Sequence, residues 1–100
     1  MNLKSKVFAL VEEIPEGKVT TYKEIARVLN TSARAIGSIL SQNENIPEVP
    51  CHRVVKSNGK LGGYKLGRER KEELLKQEGV KVVKGKIDLE EYFHEFGDEK

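Results

Sequence analysis

Two short amphipathic segments separated by a two-residue break constrain the fold more than any other feature of this 100-residue chain. Thr21 and Glu24 have capping-box spacing, which predicts that Thr21 caps a helix and that Glu24 reaches back to its first turn. Asn30 and Thr31 interrupt the apolar pattern, and Thr31 or Ser32 can cap a further helix of about ten residues. Two short helices joined so tightly predict a helix-turn-helix, whose second helix normally enters a groove of DNA.

The rest of the sequence predicts a mainly helical domain with one small β element. Apolar residues recur at helical spacing before Pro15, and Val54-Val55 followed by a turn at 57–60 resembles the wing of a winged helix. We predict a single winged helix-turn-helix domain over residues 1–100, mainly α with a small β wing, whose acidic end frays from about residue 95. Its further elements are predicted as helices at about 3–13, 68–77 and 88–93, strands at 19–20 and 54–61, and an extended segment at 80–83.

The charge distribution favours a polyanionic ligand. Residues 1–87 carry 17 basic and 10 acidic side chains, whereas residues 88–100 carry six acidic side chains and one lysine. Lysine and arginine gain affinity for nucleic acids by releasing counterions from phosphate. A solvated surface rich in lysine and glutamate explains the same composition equally well, so charge alone leaves the two interpretations open.

The single cysteine bears on both the compartment and metal binding. With Cys51 alone, neither an intramolecular disulfide nor a Cys/His ligand set can form, which predicts no metal and a reduced compartment, cytoplasmic or, in a eukaryote, nuclear. The N-terminus lacks the apolar stretch of a signal peptide, and no run approaches the ~20 apolar residues of a membrane span. We therefore expect no association with a membrane.

One face of the second helix in the predicted helix-turn-helix carries only small side chains. Ala33, Gly37 and Ser41 follow one another at intervals of four residues and so share one face. Glycine inside a helix costs roughly 1 kcal/mol relative to alanine, which indicates that something approaches this face closely. A DNA minor groove only ~6 Å wide and a tightly packed neighbouring helix are the two alternatives, and the sequence does not separate them.

Cys51 lies between Pro50 and His52, and this setting suggests a nucleophile. The thiolate is the reactive form of cysteine, and a neighbouring imidazole that is oriented by a carboxylate promotes its formation. Pro50 and the preceding Pro47 restrict the backbone on the approach to the cysteine. An inert buried cysteine is the alternative, and spacing alone leaves open which acidic residue orients His52.

The segment Pro50-Cys51-His52-Arg53-Val54-Val55 is similar to the active-site motif of the O6-alkylguanine-DNA alkyltransferases. The resemblance runs from the first helix to Gly79. It implies irreversible, stoichiometric transfer of an alkyl group, most readily methyl, from O6-alkylguanine in double-stranded DNA to Cys51, by a monomer without cofactor or metal. Other positions in register with the family are Thr21-Tyr22, residues 33–37, Asn43, Gly62, Tyr64, Lys71 and Glu78.

The resemblance assigns the chemical step to four residues. Cys51 would accept the alkyl group and would be activated through His52, a water molecule and Glu78. Asn43 would hold the turn that bears the cysteine. The base must first leave the duplex, since its alkyl carbon is shielded there.

The resemblance also assigns binding to the minor groove. Arg34 would enter the base stack and fill the gap left by the flipped guanine, while Tyr22 would crowd the phosphate of that nucleotide and reach the base. The face formed by Ala33, Gly37 and Ser41 would press on the groove.

In the alkyl pocket, the family pattern implies contacts to the extruded guanine. Tyr64 and the backbone amide of Lys65 would face O6, and the carbonyls of Cys51 and Val54 would accept from the guanine amine. Lys71 would form hydrogen bonds near Tyr64.

Two departures from the family and two rival functions remain. The family commonly places a second domain before this one, which we expect to be missing here, and Leu66 replaces a small residue, which suggests a narrower pocket. Alkyltransferase-like proteins bind the lesion for excision repair without transfer, but they usually replace the acceptor cysteine with Trp or Ala. A winged-helix transcription regulator is the third interpretation, and it gives no reason for the motif around Cys51.

Overall fold

Helices alternate with very short strands, and the computed structural model describes residues 2–46 and 48–97. Pro47, predicted to restrict the approach to Cys51, lies outside these residues, as do residues 98–100 of the acidic end. The helices are α1 (Leu3–Glu12), α2 (Tyr22–Leu29), α3 (Ala33–Leu40), α4 (Arg68–Gln77) and α5 (Leu89–Tyr92), with a 3₁₀ helix at Cys51–Arg53. The strands are β1 (Thr20–Thr21), β2 (Val54–Val55), β3 (Val82–Val83) and β4 (Lys86–Ile87).

The helix-turn-helix forms where the sequence predicts it. Thr21 Oγ1 accepts a hydrogen bond from the Glu24 amide at 2.9 Å, and Ser32, rather than Thr31, caps α3 through the Ala35 amide at 3.1 Å. The capping-box prediction for Glu24 is wrong, because its carboxylate instead binds the Arg27 guanidinium and the Phe96 amide. The capping hydroxyls satisfy amides that would otherwise lack a partner at the helix starts.

The helices α1, α2 and α3 enclose the main core. From α3, Ile36 and Leu40 are buried, whereas Ala35 and Ile39 are only half-buried. Cys51 belongs to this core, so the 3₁₀ helix that carries it is anchored against the helix-turn-helix. The buried members are Val7, Leu10, Val11, Ile14, Ile25, Ala26, Val28, Ile36, Leu40, Val49, Cys51, Val54 and Phe96.

The strands differ from the predicted wing at 54–61. β2 does not form a hairpin with the residues after it but pairs in parallel with β1, so that Thr20 lies opposite Val54 and Thr21 opposite Val55. The antiparallel hairpin is formed by β3 and β4, next to the turn at 56–60. A Cβ atom at Gly59 would lie 2.6 Å from the Ile87 carbonyl oxygen, so only glycine allows this close approach.

The C-terminal residues fold back onto the helix-turn-helix. The Val19 amide donates to Tyr92 O at 2.9 Å, the His94 amide donates to Val19 O at 2.6 Å, and Phe96 is 3% exposed. The prediction of an end that frays from about residue 95 is therefore wrong up to Phe96, whose ring fills the main core. Among residues 2–46 and 48–97, no helix has the length and apolar character needed to cross a membrane.

Candidate active site

The pairing of β1 with β2 brings the start of α2 beside the cysteine. Tyr22 begins α2 directly after β1, and Cys51 opens the 3₁₀ helix that leads into β2. Cys51 is 7% exposed and lies at the wall of a cleft of about 710 Å³. A cleft of this volume can take a group the size of a nucleobase.

Eight of the thirteen predicted site residues line the cleft. They are Tyr22, Ala33, Arg34, Gly37, Ser41, Cys51, Tyr64 and Lys65. The other lining residues are Lys23, Leu40, Lys56, Ser57, Asn58, Gly62 and Gly63. None of them was predicted as a site residue, although Gly62 is in register with the family. For Lys56, Ser57 and Asn58, the available signal was their polar or basic character in a turn that follows β2 directly. The remaining predicted residues, Asn43, His52, Val54, Lys71 and Glu78, lie behind the cleft wall.

Asn43 forms hydrogen bonds that hold the segment carrying Cys51. Its Nδ2 donates to Val49 O at 3.0 Å and lies 3.5 Å from Cys51 Sγ, and its Oδ1 accepts from the Asn45 amide at 2.9 Å. Asn43 is 2% exposed, so these bonds form in a region shielded from water. A hydrogen bond donated to sulfur stabilises negative charge on it.

The partly buried carboxylate of Glu78 joins His52 to Arg53. His52 Nε2 lies 2.9 Å from Glu78 Oε2, while Arg53 binds both oxygens of Glu78 at 2.9 and 2.8 Å. A further Arg53 nitrogen donates to Ile14 O at 2.7 Å, which ties the site to the end of the first helical segment. Arg53 belongs to the motif around Cys51, but its contact with Glu78, 25 residues away, was not predicted.

These contacts define the ionisation of the pair. Burial tends to raise the pKa of Glu78, but hydrogen bonds from Arg53 and His52 outweigh it and hold that pKa below its usual value. Burial lowers the pKa of His52 more than Glu78 raises it. Near pH 7 the imidazole is therefore neutral and the carboxylate is charged. Because a carboxylate only accepts, Nε2 carries the proton, and Nδ1 is left as an acceptor without a partner among the described residues.

Lys71 lies behind the cleft and is fully buried. Its Nζ donates to Leu61 O at 2.5 Å and to Gly63 O at 3.1 Å, and it lies 5.7 Å from the centre of the Tyr22 ring. Burial lowers the pKa of Lys71 to about 7, against the opposing charge of the Cys51 thiolate. Lys71 thus joins α4 to the segment before Tyr64, close to the place expected for it.

The remaining pocket residues are arranged around Tyr64. Burial raises the pKa of Tyr64 to about 12, and its hydroxyl is shielded from water without a partner among the described residues. Lys65 Nζ donates to Asn43 O at 3.2 Å, and the Val54 side chain is completely buried. Leu66 is 58% exposed and is absent from the cleft lining, so the expected narrowing of the pocket by Leu66 is wrong.

The face of α3 that lines the cleft is open. A Cβ atom at Gly37 would meet nothing within 4 Å, so no neighbouring helix packs against this glycine. The structure therefore rules out the alternative in which helix packing explains the flat face. Arg34 is exposed and forms no hydrogen bond or ion pair with another described residue.

Metal-binding residues are not grouped at this site. Within residues 2–46 and 48–97, no cluster of three or more His, Cys, Asp or Glu side chains could hold a metal ion. The cleft and the residues directly behind it bring together the Cys51 thiol, the His52 imidazole, the Glu78 carboxylate and nearby phenols and amines.

The fold and cleft together define a winged helix-turn-helix with a cysteine beside an imidazole–carboxylate pair. Residues 2–80 match the family described as "6-O-methylguanine DNA methyltransferase, DNA binding domain". The chain belongs to this family.

Curated relatives agree with this assignment. A methylated-DNA–protein-cysteine methyltransferase of Saccharolobus islandicus is 53% identical over 76 residues, which are 76% of this chain and 50% of that protein. A bifunctional methyltransferase/endonuclease of Picrophilus torridus is 42% identical over 94 residues, 92% of this chain and 32% of that protein. The chain thus spans half or less of the length of these two relatives.

Solved structures show the same fold in two kinds of protein. S. pombe Atl1, in complex with damaged DNA containing O6-carboxymethylguanine, has a TM-score of 0.85 and 33% identity, covering 96% of this chain and all of that one. The O6-methylguanine-DNA methyltransferase of Pyrococcus kodakaraensis has a TM-score of 0.74 and 41% identity, covering 80% of this chain and 47% of that one. Both neighbours confirm the predicted winged-helix class.

Proposed function

We propose that this protein repairs O6-alkylguanine in duplex DNA by taking the alkyl group onto Cys51. The observation that supports this most is the position of Cys51 at the wall of a nucleobase-sized cleft, with the neutral imidazole of His52 beside it and Glu78 behind it. Membership of the family and the DNA complexes of structural neighbours point to the same ligand.

The proposed reaction is a displacement at the alkyl carbon. The proton of the Cys51 thiol passes through a water molecule to His52 Nδ1, and Glu78 stabilises the imidazolium that results. A carbon–sulfur bond then forms as the bond from that carbon to O6 breaks, and the bonding electron pair leaves with the guanine. The guanine anion takes up one proton from solvent at a ring nitrogen and stays in the DNA as the restored base.

Recognition is proposed to depend on the open face of α3. With no side chain beyond Cα at Gly37, this face can lie against the narrow minor groove. Arg34 would then enter the base stack in place of the extruded nucleotide, which offsets part of the unstacking cost of a few kcal/mol. Tyr22, across the cleft, would contact the displaced nucleotide.

The pocket would hold the extruded base by its polar edge. Tyr64 and the Lys65 amide are proposed to donate to O6, and the carbonyls of Cys51 and Val54 to accept from the guanine amine. Lys71 would keep Tyr22 and the 61–63 segment in place through its contacts with both.

Lesion binding without transfer is the second candidate function. It is favoured by one observation, the match to S. pombe Atl1 over the whole length of that chain. Cys51 and its hydrogen-bonded neighbours favour transfer instead, because a protein that only binds the lesion has no need of a nucleophile.

An assay with a duplex that contains one O6-methylguanine separates these functions. Transfer predicts loss of the methyl group from the DNA with the native protein and no loss with Cys51→Ser, which retains lesion binding. Binding to the lesion with no loss of methyl would establish the second function. A protein without preference for the lesion would contradict both and indicate a regulator.

A further inference from the structure

The β3–β4 hairpin, which lies beyond the family match at residues 2–80, forms a basic surface with the turn at 56–60. The two parts are joined by backbone hydrogen bonds, from the Ile87 amide to Gly59 O at 2.8 Å and from the Leu61 amide to Gly85 O at 3.2 Å. Residues 49–68 and 79–87, to which they belong, contain eight Lys or Arg and no acidic residue. The turn and the hairpin themselves thus carry lysines and no acidic residue.

Three lysines stand side by side on this surface. The Lys56 amide donates to Lys60 O at 2.9 Å, and Lys60 lies directly opposite Lys86 in an antiparallel bridge. All three are exposed, and none pairs with a carboxylate among residues 2–46 and 48–97. Like charges directly opposite each other destabilise a sheet, so this arrangement costs stability in the isolated protein.

A fourth lysine occupies a strained position at the hairpin tip. Lys84 and Gly85 connect β3 to β4 with φ angles of 53° and 73°. Two-residue hairpin turns with positive φ at both positions favour Asn, Asp or Gly, because other side chains crowd their own backbone there. Lysine at this position lowers the stability of the hairpin, as the Lys60–Lys86 pair does, and adds a positive charge to the surface.

We propose that Lys56, Lys60, Lys84 and Lys86, here termed the lysine row, bind backbone phosphates of the duplex beside the flipped nucleotide. The row begins at the cleft, which Lys56 lines, and continues outward across the turn and the hairpin. A line of phosphates supplies the negative charges that offset both the repulsion between Lys60 and Lys86 and the unfavourable conformation of Lys84. This inference rests on the proposed function, since it extends the same DNA interface.

The test compares Lys60→Gln/Lys86→Gln with a charge-matched control, Lys4→Gln/Lys6→Gln on the exposed side of α1. Affinity for a fluorescent duplex is measured over a range of salt concentrations. Loss of two phosphate contacts predicts a slope of log K against log salt that is shallower by about 1.8, with or without the lesion. The control should keep the native slope. The unfolding midpoint of the Lys60/Lys86 variant should equal or exceed that of the native protein, because a repulsive pair has been removed.

A single substitution at the tip provides an independent test. Lys84→Asn should raise the unfolding midpoint, since Asn tolerates positive φ, and should make the salt slope shallower by about 0.9. Affinity and stability thus change in opposite directions, which a purely structural role does not produce. An unchanged slope in both variants, or an equal change in the control, would overturn the inference. Absence of salt-dependent DNA binding by the native protein would instead overturn the proposed function.

Discussion

The two sides of the cleft differ in how far the protein satisfies its own polar groups. Behind Cys51, Glu78 accepts three hydrogen bonds from His52 and Arg53, and the imidazole nitrogen Nδ1 is the one ring atom left free for Cys51 or a water molecule. On α3, by contrast, Arg34 has no described partner and Gly37 leaves open space. In the proposed function, the reacting groups are therefore assembled in advance, whereas the DNA-binding surface is completed only by its ligand.

Glu78→Gln changes the carboxylate behind Cys51 and should have the largest effect of these variants on the rate of alkyl transfer. An amide neither keeps the negative charge beside His52 nor stabilises the imidazolium, so the rate of alkyl transfer should fall by about 100-fold. DNA affinity should stay within about twofold, because Glu78 lies behind the cleft wall. Single-turnover kinetics and equilibrium binding measure the two quantities. Glu73→Gln, at an exposed position of α4, is the control and should leave both unchanged.

Arg34→Ala removes the exposed guanidinium on the α3 side of the cleft. Repair of a duplex should slow by about tenfold or more, since Arg34 is proposed to offset part of the few kcal/mol that unstacking costs. Reaction with free O6-benzylguanine, which needs no extrusion, should keep its native rate. Arg68→Ala, at an exposed arginine outside the cleft, serves as the control. Equal losses on duplex and free base would remove Arg34 from base extrusion.

Buried Lys71 should make the stability of the protein depend on pH. Because the folded-state pKa of Lys71 is about 7, below its ordinary value, the unfolded chain binds more protons than the folded one between pH 7 and 10. Lys71 should therefore add stability as the pH rises through this range, by up to about 1.4 kcal/mol per unit. Urea unfolding at pH 7, 8 and 9 should show this rise in the native protein and in Lys76→Met. A rise of the same size in Lys71→Met would contradict the prediction.

Gly37→Ala should have the smallest effect and should act in opposite directions on stability and binding. The added methyl group meets nothing in the free protein, so the helix should gain up to about 1 kcal/mol. The same methyl group would reach the proposed groove surface and should weaken duplex affinity severalfold. Thermal unfolding and fluorescence anisotropy measure the two changes. Unchanged or tighter binding would show that this face of α3 does not contact DNA.

The helical part of the fold followed from local signals. The caps Thr21 and Ser32 and the boundaries of α4 depend on residues within one or two turns of each other. The parallel pairing of β1 with β2 spans more than thirty residues between strands of two residues each, which are too short for a periodic pattern. For the same reason the hairpin was expected at 54–61 instead of at β3 and β4.

The candidate site was only partly predictable for a similar reason. Family resemblance supplied His52 and Glu78, whereas spacing alone could not choose the acid. The contact of Arg53 with Glu78 and the burial of Phe96 against α2 depend on how distant segments pack. Gly37 illustrates the opposite case, since the sequence showed a costly glycine but only the structure showed open space beside it.

Stoichiometry tests whether Cys51 accepts the alkyl group once and keeps it. A thioether is not reopened by any group of this chain, which has no second cysteine to resolve the adduct. With excess O6-methylguanine duplex, demethylated DNA should therefore plateau at one equivalent of active protein. Intact mass and peptide mapping should place one methyl group on Cys51. Continued turnover beyond one equivalent, or an unmodified Cys51 after the DNA has lost its methyl group, would contradict the account.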